Sequence, residues 1–450
     1  MRKSCYWVLG AILLASRPAA AVPPVSEGLP PTLIYQGEAY VALPVLSDRF
    51  GLKSTPPKVA AQSIKVESGG RTWDFFNGGD QVRCPDGRIH PLFRPLLVFR
   101  GVNYLDRHDA QELLGVRVTE TGVQSGDQEM KVAGVALDSP YQTHQVGELD
   151  CTASVWRLTG AVDAREDLFP GGRSHSLPAG GIYLCRREAT VDGVRYALLT
   201  DMGATPDSYL VPEAVFAKNR AEVSAEQTAW RERMVWFRER AAGGQALQTG
   251  NRLRLAQRIS VTMDFCWSMR PPETDFLAGL PALAHDVHPP VTVFLSGRWM
   301  EQHPGDMEAL IRLQQQSGVR INWGLHSWVH PKAGGFMDDL TLADTRADTL
   351  RLERKMLEWG VVPTVYYRFP GLIHDAAHLT AILDMNLLPV DCEAWVAVQG
   401  EEHPFGHPMQ SGSIVLVHGN GNEPNGIARF RVWLKTHPDW RWEPLGSFLP

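Results

Sequence analysis

Residues 256–450 constrain the fold most, because segments typical of β-strands alternate along them with segments typical of amphipathic helices. The expected strands are 258–265, 291–296, 320–325, 364–368, 387–391 and 413–417. The expected helices are 304–317, 342–359, 375–385 and 426–436. This alternation predicts a parallel sheet, open or closed into a barrel, with its chemistry at the carboxyl ends of the strands.

Five of the expected strands end in polar residues. These are Asp264 in V-T-M-D, His326 and His330 in H-S-W-V-H-P, Arg368 in Y-R-F-P-G, Asp391 in V-D-C-E-A-W and His418 in I-V-L-V-H. Alone, each has an ordinary explanation, such as a helix cap, a surface ion pair or packing. Since the carboxyl ends of parallel strands meet at one edge of a sheet, together they predict a single site.

The spacing of His326 and His330 points to a metal. On a helical turn, residues four apart share one face with Cβ atoms about 5–6 Å apart, which suits two ligands of one metal. A second pair, His403 and His407 in H-P-F-G-H-P, has the same spacing. Because its internal proline and glycine disfavour a helical turn, we expect the first pair to be the ligands.

The order of these strand ends resembles the five motifs of the polysaccharide deacetylase family (the NodB-homology domain, carbohydrate esterase family 4). V-T-M-D stands where the family has T-F-D-D, and the later segments are similar to H-[ST]-x-x-H-P, R-x-P-Y, D-x-x-D-W and L-x-L-x-H. P-V-T-V-F-L-S-G-R-W, at 290–299, is similar to a further family stretch. The resemblance covers about 256–450 and implies a distorted (β/α)7-type barrel.

The resemblance also implies a catalytic role for the matched residues. His326 and His330 would hold a divalent metal, zinc by preference, which activates the attacking water. Asp264 would be the general base for that water, and His418 would be the general acid that protonates the leaving amine.

The resemblance also implies that two further residues support Asp264 and His418. Arg368 would keep Asp264 ionised and oriented, while Asp391 would orient His418 and keep it protonated. Aromatic residues near the motifs are candidates for a sugar-stacking wall, although each suits core packing equally well. They are Trp267, Tyr367 and Trp395, with Trp328.

The chain departs from the family at Phe265, because the family usually has its third metal ligand, an aspartate, at that position. No oxygen ligand stands beside it, and Cys266 is one residue further on. Three explanations stay open. The third ligand is water or a residue such as His374 or Asp375; Asp264 itself binds the metal; or the domain is inactive and binds glycan.

The N-terminal part contains a repeat with an offset of 64 residues. G-E-A-Y-V-A-L-P-V-L-S-D-R-F-G-L begins at Gly37, and G-V-N-Y-L-D-R-H-D-A-Q-E-L-L-G-V begins at Gly101. Each copy predicts a strand, a helical turn and a glycine cap. Residues 30–125 resemble the stalk-type domain of copper amine oxidases, which implies an α+β spacer or wall-association module.

The middle of the chain predicts a small all-β domain over 130–218, similar to a small β-barrel of the bacterial Src-homology type. Two strands that meet at the Asp-Gly turn of 192–193 carry the clearest signal. A charged amphipathic helix from Ser224 to Arg240 then predicts a helical linker over 219–250.

The first 21 residues have the pattern of a cleaved signal peptide, with Arg2 and Lys3 before a short apolar core and Ala19–Ala21 at its end. They predict a secreted, periplasmic or cell-envelope protein that is not transmembrane after cleavage. Export permits disulfides, and the pairs Cys266–Cys392 and Cys151–Cys185 are candidates. The net charge of -6 argues against nucleic acid as a partner.

Together these features predict a secreted, metal-dependent hydrolase of linear amides that removes N-acetyl groups from an envelope or extracellular polysaccharide, either peptidoglycan or a chitin-like polymer. One alternative is an inactive glycan- or wall-binding protein, because Phe265 occupies the position of the usual third ligand. The other is a hydrolase of the same fold that acts on a different linear amide.

Overall fold

The computed structural model describes the residues from 29 to 448 with several gaps. The described ranges are 29–55, 63–76, 79–137, 139–202, 207–224, 228–246, 257–284, 288–330, 340–396, 409–421 and 423–448. The expected signal segment at 1–21 and the pair His403 and His407 lie outside these ranges. No helix in the described ranges is both long and apolar enough to span a membrane.

In its described residues, the first region folds into three small sheets with two helices. Its strands are β1 (Thr32–Tyr35), β2 (Glu38–Ala42), β3 (Lys53–Thr55), β4 (Ile64–Ser68), β5 (Arg71–Phe75), β6 (Gln81–Arg83), β7 (Ile89–Pro91), β8 (Leu97–Phe99), β9 (Val102–Asp106), β10 (Val116–Thr119), β11 (Gly122–Ser125), β12 (Gln128–Lys131) and β13 (Val135–Ala136). Its helices are α1 (Leu43–Phe50) and α2 (Arg107–Leu114). The sheet orders are β13-β1-β2-β9-β8, β3-β4-β5-β6-β7 and β10-β11-β12.

The repeat in the sequence is visible in this region. Strand β2 leads into α1 and strand β9 leads into α2, and the two strands pair with each other. Gly51 (φ +69°) and Gly115 (φ +68°) end the helices in the left-handed conformation that favours glycine. The predicted strand, helix and cap are therefore present in both copies. A relationship to the copper amine oxidase stalk stays a prediction.

The middle region is an antiparallel sheet with the order β16-β15-β19-β18-β17-β14-β20. Its elements are β14 (Val146–Leu158), β15 (Val162–Arg165), β16 (Ser174–Leu177), β17 (Ile182–Val191), β18 (Val194–Asp201), β19 (Ser208–Pro212), α3 (Glu213–Phe216) and β20 (Arg220–Glu222). The predicted hairpin is β17–β18, with Asp192 and Gly193 at its turn. No ladder joins β16 to β20 within the described ranges, so closure into a barrel stays a prediction.

The C-terminal region is a mixed α/β unit built on a parallel sheet. Its strands are β21 (Arg258–Phe265), β22 (Pro290–Leu295), β23 (Arg320–Leu325), β24 (Tyr366–Tyr367), β25 (Leu388–Pro389), β26 (Ala394–Trp395), β27 (Ser413–His418) and β28 (Arg441–Trp442). The helices are α4 (Ala229–Ala242), α5 (Thr274–Ala278), α6 (Leu280–Ala284), α7 (Gly297–Gln302), α8 (Pro304–Ser317), α9 (Leu342–Glu358), α10 (Ala376–Asp384) and α11 (Pro424–Thr436). Helix α4 is the expected linker helix, and it buries Trp230, Met234 and Phe237 against this unit.

The parallel sheet has the order β25-β24-β23-β22-β21-β27-β26, and β28 pairs with the start of β21. The expected α/β architecture is therefore confirmed. Among the described residues no ladder joins β25 to β26, so strand pairing does not close the sheet into a barrel. Strands β24 and β25 are shorter than expected, because Pro363, Pro370 and Pro389 in or beside them have no N–H group for a ladder.

The expected disulfides are wrong for this structure. Cys84, Cys151, Cys185, Cys266 and Cys392 are all free. Cys151 and Cys185 lie on the paired strands β14 and β17, but their register partners are Arg187 and Ser154. The Cys266 sulfur lies instead beside a histidine ring, as described below.

Candidate metal centre and active site

Asp264 and Arg368 form a buried ion pair at the carboxyl ends of β21 and β24. Arg368 Nη1 donates to Asp264 Oδ1 at 2.8 Å and to Thr262 Oγ1 at 2.7 Å. The same guanidinium also donates to the carbonyls of Val390 and Asp391. Because each of its nitrogens is occupied, Arg368 cannot move away from Asp264 without losing several hydrogen bonds. The structure thus brings together the pair that the sequence predicted.

His326 and His330 also meet, but not on a helix. The residues from 326 to 330 form a loop after β23, and the expected helical turn is wrong. Ser327 (φ +66°) and His330 (φ +40°) adopt left-handed backbone conformations that non-glycine residues rarely take. The loop nevertheless brings the two ring centroids to 4.9 Å. Such backbone strain is commonly found at functional sites.

A carboxylate from α9 holds this loop in place. Asp348 accepts hydrogen bonds from the backbone N–H groups of Trp328 (2.7 Å) and Val329 (2.9 Å). Ser327 Oγ accepts from the His330 N–H at 3.1 Å. Sequence reasoning missed Asp348, because it lies within an amphipathic helix where an aspartate usually faces solvent. It lies on the helical face that carries the buried side chains of α9, and that spacing is the signal present in the sequence.

Cys266 lies on the side of the two histidines, whereas Phe265 points to the opposite side of the sheet. Successive side chains of a strand alternate between faces, so Cys266 follows Asp264 at an interval of two. The Phe265 ring is fully buried and packs against Trp299, with centroids 4.6 Å apart. Cys266 Sγ lies 3.5 Å from His326 Nε2. The strand period was the signal that would have identified Cys266 from the sequence.

The three donors form a cluster that fits a metal ion. Cys266 Sγ and one nitrogen each of His326 and His330 all lie within 4.8 Å of one another. His326 Nδ1 donates to the Arg368 carbonyl at 2.9 Å, which leaves Nε2 free to act as a ligand. Both ring nitrogens of His330 are buried, and neither has a hydrogen-bond partner among the described residues. A buried group of this kind requires a partner, and a metal would supply one.

Electrostatics at the cluster favour a cation. Although burial opposes ionisation of the Cys266 thiol, the neighbouring His330 and His326 rings hold its pKa well below the usual range. Burial likewise opposes protonation of His326, but Asp264 and Cys266 raise its pKa. Thiolate is the form of cysteine that binds metals, and one sulfur with two imidazoles is a donor set that zinc accepts.

The other proposed ligands lie elsewhere. Asp375 caps α10, where its carboxylate accepts from the His378 N–H at 2.7 Å. His374 Nε2 lies 3.6 Å from Asp391 Oδ2, and its ring packs on Phe369. Neither residue belongs to the donor cluster found in the described part of the chain. The open explanation that His374 or Asp375 completes the ligand set therefore has no support in this geometry.

His418 has a different carboxylate partner from the one expected. Its Nδ1 lies 2.8 Å from Glu423 Oε1, and its backbone N–H donates to the other oxygen of Glu423. Burial opposes protonation of His418, but Glu423 raises its pKa well above the usual value. Asp391 was expected to orient His418. That prediction is wrong, because the Asp391 carboxylate faces His374. Glu423 follows a glycine-rich loop, and no residue pattern there marked it.

His418 also lies next to Asp264 across the sheet. The two residues are register partners of the parallel strands β21 and β27, and the Gly419 N–H donates to the Asp264 carbonyl at 2.8 Å. Cys266 also helps to raise the pKa of His418. With 29% of its side chain exposed, His418 is accessible from solvent, whereas Asp264 is buried. The site thus has a partly open side at His418.

The expected aromatic wall is mostly interior. Tyr367 is fully buried in the core, so it offers no ring face to a ligand, and its predicted role in substrate binding is wrong. Trp267 is 8% exposed, and its Nε1 donates to the His330 carbonyl at 2.5 Å, so it supports the loop from His326 to His330. Trp328 is buried beneath Arg351. Trp395, on the edge strand β26, remains partly exposed and stays a candidate for sugar stacking.

A separate cavity of about 660 Å³ lies between the antiparallel sheet and α8. Arg173, Tyr209, Gln315 and Arg320 are among its lining residues. Because Arg320 begins β23, this cavity is at the amino-terminal edge of the parallel sheet. The chemistry described above is at the opposite edge.

Comparison with known proteins agrees with the motif order. Residues 256–390 match the family model for polysaccharide deacetylase. The C-terminal region is therefore similar to polysaccharide deacetylases over these residues. The match does not extend over 30–125 or 130–218, so the nature of those regions stays a prediction.

Several solved structures are similar to part of this chain. A family 4 carbohydrate esterase from Bacillus anthracis is 17% identical, with a TM-score of 0.35, 48% of this chain covered and 90% of that chain covered. The chitin deacetylase from the fungal pathogen Colletotrichum lindemuthianum is 19% identical, with a TM-score of 0.33 and coverages of 43% and 87%. A CE4 family pseudoenzyme from Bacillus anthracis is 16% identical, with a TM-score of 0.33 and coverages of 43% and 66%. At such scores, only the family model supports the type of domain.

Proposed function

We propose that this protein is a metal-dependent carbohydrate N-deacetylase that hydrolyses N-acetyl groups of an envelope or extracellular polysaccharide. The observation that carries the proposal is the Cys266–His326–His330 donor cluster beside the Asp264–Arg368 ion pair. The cluster supplies the ligand position that Phe265 leaves empty. A metal site made of His326 and His330 alone would lack this third ligand.

The residues of the site divide the proton transfers between them. A divalent metal, zinc by donor type, would polarise the amide carbonyl and lower the pKa of water when bound to Cys266, His326 and His330. Asp264, held in place by Arg368, accepts the proton of the attacking water. His418, held by Glu423, donates a proton to the leaving nitrogen. The products are acetate and a free amino sugar.

The proposed substrate and location are consistent with this proposed N-deacetylase activity. Peptidoglycan and chitin-like polymers both carry N-acetyl groups on a sugar ring, and Trp395 offers a partly exposed aromatic surface near the site. The segment at 1–21 would export the protein to the periplasm, the envelope or the medium. The N-terminal regions would associate with the cell wall.

The test combines metal content with acetate release from N-acetylglucosamine oligomers. The wild-type protein should purify with zinc and release acetate. Cys266→Ser should lose zinc and at least about 100-fold in rate, since a hydroxyl is a poor zinc ligand. Cys266→Asp should retain metal, because a carboxylate is a ligand. Cys84→Ser, a partly buried cysteine in the first region, is the matched control and should behave as wild type.

Other outcomes identify the alternatives. A wild-type protein that binds the oligomers but releases no acetate with zinc present would be an inactive glycan-binding protein. Release of acid from other linear amides, with none from the oligomers, would instead mark a hydrolase with a different substrate. Zinc retained by both Cys266→Ser and His326→Ala would contradict the proposed ligand set.

A further inference from the structure

The ligand loop, residues 266–273, begins at Cys266 and connects β21 to α5. One side of it is held by the C-terminal region. Asn420 Nδ2 donates to the Cys266 carbonyl at 3.4 Å, and His303 Nε2 lies 2.6 Å from the Ser268 carbonyl. Arg270 Nη1 donates to the Gly421 carbonyl at 2.9 Å. The contacts of Asn420 and Gly421 join the loop to the segment that follows His418, and the contact of His303 joins it to the start of α8.

The other side of the ligand loop is held by the N-terminal region. Met269 is 2% exposed, and its side chain belongs to the apolar core formed by residues of that region. Asn103 Nδ2 donates to the Met269 carbonyl at 3.3 Å, and this bond is buried. Pro271 lies so close to Gly101 that a Cβ there would be 3.5 Å from the proline ring. A residue three positions after Cys266 is thus part of another region's core.

The N-terminal region is fixed independently to the helices beside the site. Asp80 accepts from Arg298 of α7 at 2.5 Å. Phe99 packs against Gly305 of α8, where an added Cβ would be 3.2 Å from its ring. The N-terminal region is therefore anchored to α7 and α8. Because Met269 is inserted into the core of this region, the position of the region sets the position of the ligand loop.

We propose that the N-terminal region is part of the metal-binding unit, with Met269 and Asn103 as positioning residues that set where the Cys266 sulfur lies. This inference rests on the proposed metal centre. A spacer would leave the ligand loop free, whereas here the loop's apolar anchor is buried in the first region. Positioning of a metal ligand by groups that do not touch the metal typically contributes about 10–100-fold in affinity.

The experiment is a cobalt titration of the metal-free, full-length protein. Co²⁺ bound to a thiolate gives a charge-transfer absorption, so the signal reports Cys266 and does not depend on activity. Met269→Ala should weaken Co²⁺ binding about 10–100-fold and change this band. Met269→Leu, which keeps an apolar anchor of similar volume, should restore both.

Two variants separate positioning from general destabilisation. Met130→Ala removes a methionine side chain that is partly buried and packs against the same apolar core away from the ligand loop, so it should keep wild-type Co²⁺ affinity. Asn103→Ala removes only the bond to the Met269 carbonyl, and it should weaken binding even if Met269→Ala does not fold. Equal Co²⁺ affinity in wild type, Asn103→Ala and Met269→Ala would overturn the inference. Absence of a thiolate band in the wild type would instead overturn the metal centre itself.

Discussion

Phe265 and Cys266 are adjacent in sequence but lie on opposite faces of the sheet. The Phe265 ring packs on Trp299 and against Gly419, where an added Cβ would lie 2.5 Å from the ring. A ligand placed at position 265 would consequently face the core. Restoring the family's aspartate at this position should therefore fail to improve metal binding.

We predict that Phe265→Asp destabilises the protein instead of strengthening zinc binding. Loss of a buried Phe side chain costs about 3–5 kcal/mol, and an unpaired buried carboxylate adds to that cost. Denaturant unfolding should show this loss, with a smaller one for Phe265→Leu. An Asp variant that folds normally and binds zinc more tightly than the wild type would show that this side chain reaches the metal.

Glu423 and Asp391 can be distinguished through the pH dependence of the rate. Glu423 raises the pKa of His418, so the acid stays protonated to higher pH. The alkaline limb of kcat should therefore move to lower pH in Glu423→Gln, where His418 loses its proton earlier. Asp391→Asn should leave that limb in place, because Asp391 faces His374. A shift in Asp391→Asn alone would reverse the two assignments.

At the scale of elements, helix α9 shapes the loop that carries the histidines. Asp348 accepts two backbone N–H groups of the residues between His326 and His330, and Thr341 caps the start of the helix. These bonds satisfy two backbone donors of the loop that contains the left-handed residues. The loop from His326 to His330 and helix α9 thus behave as one unit.

We predict that Asp348→Ala weakens zinc affinity about 10–100-fold without direct contact to the metal. Asp344→Ala, an exposed change in the first turn of the same helix, is the matched control and should leave zinc affinity unchanged. Competition with a chromophoric chelator measures both. Equal affinities in the two variants would show that the histidine loop keeps its shape without Asp348.

At the scale of the molecule, a buried ion-pair triad joins the antiparallel sheet to the parallel one. Arg187 Nε donates to Glu353 Oε2 at 2.8 Å, and Arg186 contacts the other oxygen of the same carboxylate. Arg186 also donates to the carbonyls of Pro363 and Thr364, just before β24. All three charged side chains are almost fully buried. Removing the carboxylate would leave two buried cations without a counter-charge.

We predict that Glu353→Gln lowers the free energy of unfolding by about 3–5 kcal/mol. Glu358→Gln, on the same helix but partly exposed, should cost about 0–1 kcal/mol. Burial opposes ionisation of Glu353, but Arg187 and Arg186 lower its pKa. Its contribution should therefore be complete above the ordinary glutamate pKa and lost as the pH falls through the lowered value. Equal unfolding midpoints in the two variants would contradict this account.

The sequence predicted much of the C-terminal fold because its signals are local. Strand and helix periodicity placed β21, β23 and α8 at their observed bounds, and prolines explain where β24 and β25 fell short. The polar residues at the strand ends could be predicted to lie together for a related reason, since parallel strands bring their carboxyl ends to one edge of the sheet. Asp264 and Arg368 met as predicted, although they are 104 residues apart.

The sequence by itself thus determined the type of fold and predicted the sheet edge and the residues of the candidate site, Asp264, His326, His330 and His418. Tertiary structure alone decided which carboxylate faces His418, and it paired His374 with Asp391. It also placed Met269 in the core of a different region and put Asp348 beneath the histidine loop. The physical reason is that these contacts depend on how loops fold back and which way side chains point, and neither leaves a periodic pattern in the chain.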